Sequence, residues 1–339
     1  MLVRTLSLSL SLSASLLCQG TRIANVNDPL SHGLVGDARL SLDEAIRVAN
    51  GTLAFASLSA AEQGRFAGAG MVVDTIRIDS MVVPQITLQQ PLTDVVGAGM
   101  MGPRLVIEGM TMVGMGGKPR LVAGALPHGI ALRTHAVTLM GLEIVGGLVG
   151  VDVRMATMGM PVPEMAMLMD CALQGQAVCG VRLHGTGMDE SMLMATRTSF
   201  RSMPTGWIVD DQTVGGSLMG EGEFLDFDGV GIGCDVVENG IGNLSMWMLF
   251  RSRFANGQTL ARARRGAASS QQFMFRFVHV DAQCDGDVLD AQGNAAGLTM
   301  VHHHHSDFVA GATHKAFHCW PRTAEFDIHG SEMRFVGDV

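Results

Sequence analysis

The 339-residue chain is 47% hydrophobic and 16% charged, which leaves ample material for a core and excludes wholesale disorder. Its 32 acids against 23 bases give a net charge of −9, without the footprint that duplex nucleic acid or an anionic membrane requires. Aromatics make up 5% with no Tyr, so stacking platforms for single strands are not expected either. The length admits one long domain or two, at about 150 residues each. Met, with 25 copies, is over-represented, and composition alone gives no physical reason for it.

At the chain start, Arg4 precedes a Leu/Ser run, and Cys18 and Gly20 offer small residues at −3 and −1 of a cleavage point. Residues 1–20 therefore read as a secretory signal peptide, and the protein is expected to be secreted or at the cell surface. No later run reaches about 18 uninterrupted apolar residues, so no membrane span is expected. Cysteines occur at 18, 171, 179, 234, 284 and 319 with no C-x-x-C pair, which argues against a zinc knuckle or a disulfide framework. Cys171 falls at an inward position and reads as a small buried hydrophobe.

From Val137 onward one pattern recurs, with apolar or small residues at i, i+2, i+5 and i+7. Val137, Leu139, Leu142 and Ile144 set it. It returns at Ala166, Leu168, Cys171, Leu173; at Leu193, Ala195, Thr198, Phe200; and at Trp247, Leu249, Ser252, Phe254. Phe273, Phe275, Val278, Val280 follow, then Val301, His303, Ser306, Phe308 and Phe326, Ile328, Ser331, Met333. Gly220, Gly222, Leu225, Phe227 form a weaker copy. A glycine follows each unit, including Gly150, Gly180, Gly206 and Gly233, and is read as a left-handed turn between short strands. A helical repeat would show i, i+3, i+4 and i+7 over longer runs. The pattern instead describes a triangular coil, stacked so that each rung leans on its neighbours.

Upstream, LSLDEAIRVAN (40–50) is followed by DTIRI (74–78), QITL (85–88), RLVIEG (104–109) and AVTLMGLEIVGG (136–147). This succession resembles exported right-handed parallel β-helix proteins of the pectate-lyase-like, adhesin-type repeat class, over roughly residues 21–339. The resemblance implies an all-β solenoid of about ten coils, with residues 72–339 as the β-helix and 21–71 as an N-terminal cap. Ser41–Glu44 and Ser59–Glu62 are capping boxes, and Ala45, Ile46 and Val48 give the first helix an apolar side. Such a helix would cover the open first rung. Residues 335–339 offer no equivalent cap, so a truncated product or end-to-end self-association at the C-terminal rung is expected.

No catalytic set carries over from the resembled class. Asp210-Asp211 lacks the Gly-His-Gly and Arg-x-Lys that follow it in polygalacturonases. Trp207 to Asp211 only faintly matches the pectate-lyase element. The run His302 to His305, with His314, His318 and Asp307, offers candidate metal ligands, but no spacing dictates a site and none is assigned. Alternation sends His303 inward.

The repeat register also exposes a surface. Position i+6 points outward and stacks Glu143, Ala172, Ser199, Asp226, Arg253, His279, Asp307 and Glu332 in a column. Beside it run Phe224, Arg251, Phe277 and His305 at i+4, and Glu223, Arg276 and His304 at i+3. These residues would bind a polysaccharide or cell-surface glycan, the Phe rings giving apolar faces and the charged groups hydrogen bonds. The leading expectation is an adhesin-like or structural binding protein without catalysis, because rung lengths of 25 to 29 leave little room for groove walls. The alternative is a polysaccharide lyase or hydrolase. Asp307 and Glu332, one rung apart, match a retaining pair. In a lyase, Asp226 and Asp307 would neutralise a uronate or hold calcium, with His279 or Arg253 as base.

Overall fold

The computed structural model describes residues 21–339 apart from 71, 98–103, 112–116, 156–164, 242–243, 268, 271, 295–296, 321–324 and 337–339, and apart from the side chains of 21, 325–326, 329 and 331–336. The expected leader and the last residues of the proposed C-terminal contact lie outside the described residues.

The chain winds into a parallel β-solenoid of about eight turns, where the sequence suggests about ten. Three parallel ladders run its length. One joins successive strands such as Glu190–Thr196, Ser217–Glu223, Leu244–Phe250 and Gln272–Val278. A second pairs Ala172–Gln174 with the start of Ser199–Thr213, then Asp226–Glu238 and Arg253–Gly257. The third continues through Cys179–Gly187, the later part of those long strands, and Thr259–Arg265. Along these ladders each described strand is bonded to the rung before and the rung after, so stability is local and additive along the axis.

The i+7 residues form one buried file. Ile144, Leu173, Phe200, Phe227 and Phe254 are register partners in sequence and at most 1% exposed. Phe200 stacks on Phe227 with centroids 4.7 Å apart. The glycines assigned above to left-handed turns belong to strands instead. Gly150, Gly180, Gly206 and Gly233 have no positive φ. They are small because they face the file of the next rung. A Cβ on Gly180 would lie 2.7 Å from Phe200 Cδ1, and one on Gly206 would lie 2.6 Å from Phe227 Cε1. The size exchange is reciprocal: where the file narrows to Ala282, the glycine column widens to Leu260.

At the i+4 corner positive φ falls mostly on residues other than glycine. Gly141 is followed by Asp170, Arg197, Phe224, Arg251, His279 and His305, with φ from 47° to 54° for the last five and 51° for Asp170. Each non-glycine left-handed residue costs roughly 1–2 kcal/mol. The corner N–H offsets this by donating to the next rung, as from Arg197 to Glu223 O (3.0 Å), Phe224 to Phe250 O (3.0 Å), Arg251 to Val278 O (2.8 Å) and His279 to His304 O (3.0 Å).

This corner corrects the register of two copies. His279 occupies it, so the copy there is Phe275, Phe277, Val280, Ala282, two residues later than the apolar pattern suggests. Phe277 is fully buried against Trp247 and Phe308, not on the surface. Three Phe residues at alternate positions, 273, 275 and 277, satisfy either register, and only the corner decides. The last copy shifts likewise: Asp307 pairs with Arg334, not Glu332, whose side chain lies outside the described residues.

At the N-terminal end, the strand Thr21–Val26 adds in parallel to Val72–Asp79. The helix Leu42–Ala49 opens on the Ser41–Glu44 capping box and buries Leu42, Ala45, Ile46 and Ala49. Ser59–Glu62 caps the short helix Ala60–Gln63 in the same way. Asn50 ties the first helix to the following coil, donating to Asp94 O and accepting from the N–H of Gly97. Five described cysteines are free thiols, and Cys171 is buried, as its inward position requires. Burial pushes its thiol up to about 11.

The outer face of the first ladder explains part of the methionine excess. Met192, Met219, Met246, Met274 and Met300 are register partners, one per rung, each half-buried between inward residues. Met167, Met194 and Met248 lie on the adjoining column. Flexible thioethers cover a pleated surface without β-branching and pack against their neighbours above and below.

The outer face of the third ladder carries charge. Asp152 accepts from Arg133 at 2.9 Å and lies 3.1 Å from His184 Nε2. Burial works against its ionisation, but His184 and Arg133 outweigh it and bring the carboxyl down to about 2. An ordinary Asp titrates near 3.9. The stabilisation is therefore present above about pH 4 and is lost as pH falls toward 2. Asp152→Asn should cost about 2 kcal/mol at pH 7. In urea titrations the difference from the parent should close near pH 2.

Candidate functional site

The weak repeat copy at Gly220 and Gly222 is where a groove forms. A Cβ on Gly220 would stand 2.8 Å from Trp247 Cδ1 and 2.9 Å from Trp207 Cζ3, so two buried tryptophans leave room only for glycine. Alternating with these inward glycines, Glu221 and Glu223 project from the outer face of Ser217–Glu223. Phe250 is the register partner of Glu223 on one side and of Val278 on the other. With the corner residues Arg251 and His279 they line a cavity of about 300 Å³ across three successive rungs.

Arg251 Nη1 donates to Glu223 Oε1 at 3.2 Å, and its guanidinium lies 5.6 Å from the centroid of the Phe224 ring. Phe224 is 47% exposed. The Arg276 guanidinium stands 5.8 Å from the Phe250 centroid. His279 stacks on His305, with rings 5.0 Å apart and 10° from parallel. Burial, then the neighbouring Glu223, push the Glu221 carboxyl above its ordinary value, and Arg276 opposes them. The site thus holds an acid biased toward its protonated form beside a carboxylate paired with arginine.

The structure brings together Glu223, Phe224, Arg251, Arg276, His279 and His305 around this corner, with His304 following Val278 in the outer column. The i+6 column is a separate line. Its register order is Ser199, Asp226, Arg253, Asp281, Asp307, with Asp281 where His279 is expected. Asp226 accepts from Arg201 at 2.8 Å and lies 3.6 Å from Arg253. These exposed pairs each contribute roughly 0–1 kcal/mol. The column forms a ladder of exposed ion pairs beside the groove. Phe277 leaves the candidate site because it belongs to the core.

Sequence reasoning misses Glu221, Phe250 and Val278. Glu221 and Phe250 sit at outward positions beside weak or polar-poor copies, and Val278 is misread as inward through the register shift. The signal that finds them is the left-handed corner, whose stacked side chains mark which residues precede it. Among the described residues no helix is long and apolar enough to cross a membrane. Comparison with family models, with curated proteins and with solved structures finds no match.

Proposed function

We propose that the chain is an exported, right-handed β-helix protein that binds an extended polysaccharide across the corner groove. The observation that carries this reading is the convergence of Glu221, Glu223, Arg251 and His279 on an apolar floor of Phe250 and Val278. Carboxylates accept from sugar hydroxyls, guanidinium and imidazole donate to them, and aromatic faces take the C–H face of a pyranose. Phe224 extends that apolar surface along the corner. Export rests on the Leu/Ser-rich start and on the resemblance of 40–147 to exported β-helix proteins.

A polysaccharide panel probed with the full chain tests the reading. Arg251→Ala and His279→Ala should each weaken binding at least tenfold, about 1.4 kcal/mol. Stability should change by no more than about 0.5 kcal/mol, because both side chains are exposed. Arg253→Ala, in the neighbouring charge ladder, should bind like the parent. Unchanged binding in both groove variants would place the protein's business on another face.

One observation favours a second reading, hydrolysis with inversion. Glu221 and Glu223 project from one face two residues apart, so the backbone positions that carry them are roughly 6.6–6.8 Å apart. Side chains extended from such positions can hold their carboxylates about 6.5–9.5 Å apart, as in an inverting pair. Glu221 would be the acid and Glu223 the base. New reducing ends in the same panel, abolished by Glu221→Gln, would identify this activity.

A further inference from the structure

A second cluster lies on the third ladder, away from the groove. Asp287 stands in the turn after Asp281–Cys284, and Asp290 faces outward on Leu289–Gln292. His318, on Phe317–Trp320, is the register partner of Asp290. Its Nδ1 is 3.3 Å from Asp287 Oδ2 and 3.5 Å from Asp290 Oδ1. One donor atom from each of the three lies within 4.8 Å of the others. His314 Nδ1 approaches the other oxygen of Asp287 at 3.3 Å.

We propose that Asp287, Asp290 and His318 bind a divalent transition-metal ion, with Zn²⁺ as the best fit and water completing its shell. Tetrahedral zinc with bonds of about 2.0–2.1 Å to nitrogen and oxygen has donor–donor edges of about 3.4 Å. The contacts of His318 have that length. Imidazole beside carboxylate suits zinc, whereas calcium takes 6–8 oxygens and magnesium keeps its waters.

The carboxylates are also held from outside, as metal ligands are. The Lys315 N–H donates to Asp287 Oδ1 at 2.7 Å, and the Trp320 indole N–H donates to Asp290 Oδ1 at 3.1 Å. Two carboxylates and a neutral imidazole balance a dication. The nearest cation on the preceding rung, Arg262, is already engaged by both oxygens of Asp235, at 3.0 and 2.7 Å. A bound ion would fasten the turn at 285–288 to the following rung.

The test uses the full chain titrated with ZnCl₂ alone in a non-chelating buffer. His302, His304 and His305 are first changed to Gln, since that run is a competing chelator. One saturable site is expected, unaffected by millimolar Ca²⁺. His318→Ala and Asp290→Asn should each lower the affinity at least tenfold while leaving the far-UV spectrum unchanged. Trp320 is 41% exposed and donates to a ligand, whereas Trp207 and Trp247 are fully buried. Co²⁺ should therefore quench a solvent-exposed component of the emission, and Trp320→Phe should remove that component. Absence of a saturable site in the Gln background, or undiminished affinity in both ligand variants, would overturn the proposal.

Discussion

Phe254→Asp is expected to leave the chain without a cooperative fold. Phe254 is 1% exposed, paired in register with Phe227 and Ala282 at the centre of the aromatic file. Removing the ring costs about 3–5 kcal/mol. An unpaired carboxylate in its place adds several kcal/mol more. Together these approach the roughly 5–15 kcal/mol that holds a domain folded. Because each rung leans on its neighbours, the defect also uncouples the coils on either side. Circular dichroism should lose strand signal, and limited proteolysis should open the chain first in the coils that flank Phe254. Phe254→Leu should retain the fold, with a loss of about 1–2 kcal/mol.

Arg265→Leu should be the next most damaging change. Its guanidinium meets Glu238 at 2.5 Å with both side chains fully buried. It also donates to Leu298 O at 3.1 Å and Thr299 Oγ1 at 3.0 Å, linking its rung to another strand. Glu238 is the register partner of Asp211, a second buried carboxylate that accepts from Thr213 Oγ1 at 2.7 Å and Ser245 Oγ at 2.5 Å. Burial pushes the Glu238 carboxyl up, Arg265 holds it down as its counter-charge, and Asp211 adds to the rise. Removing the arginine leaves that carboxyl without its counter-charge, at a cost of about 3–5 kcal/mol. Adding Glu238→Leu should recover most of the loss, since a well-packed apolar pair replaces a buried ion pair at little cost. Denaturant unfolding of the single and double variants measures both.

The architecture is legible in the sequence wherever the inward positions are chemically unambiguous. Leu139, Cys171, Phe200 and Trp247 declare themselves by spacing, and alternation places His303 inside, where it is fully buried. The reading slips where adjacent registers are equally apolar. Phe273, Phe275 and Phe277 offer no polar residue to fix the phase, and a two-residue slip sends Phe277 outward and His279 into the wrong column. Glycine misleads for a related reason. Gly180 and Gly206 look like turn residues, but they are set by the aromatic ring of the next coil, a contact 20 or more residues away. Tertiary neighbours also hide the Asp211–Glu238–Arg265 stack, because charged residues in a strand read as solvent-facing. The groove is half visible: periodicity finds Glu223 and Arg251 and reaches His279 only through the slipped register, while Glu221 and Phe250 require the corner.

Hydroxyl-radical footprinting of the full chain, with and without a bound oligosaccharide, tests the groove most directly. Phe224, Phe250 and His279 sit on three successive rungs and should lose reactivity together, while Trp320 on the third ladder stays fully reactive. Protection confined to the third ladder, or binding that leaves all three corner residues reactive, would contradict the assignment.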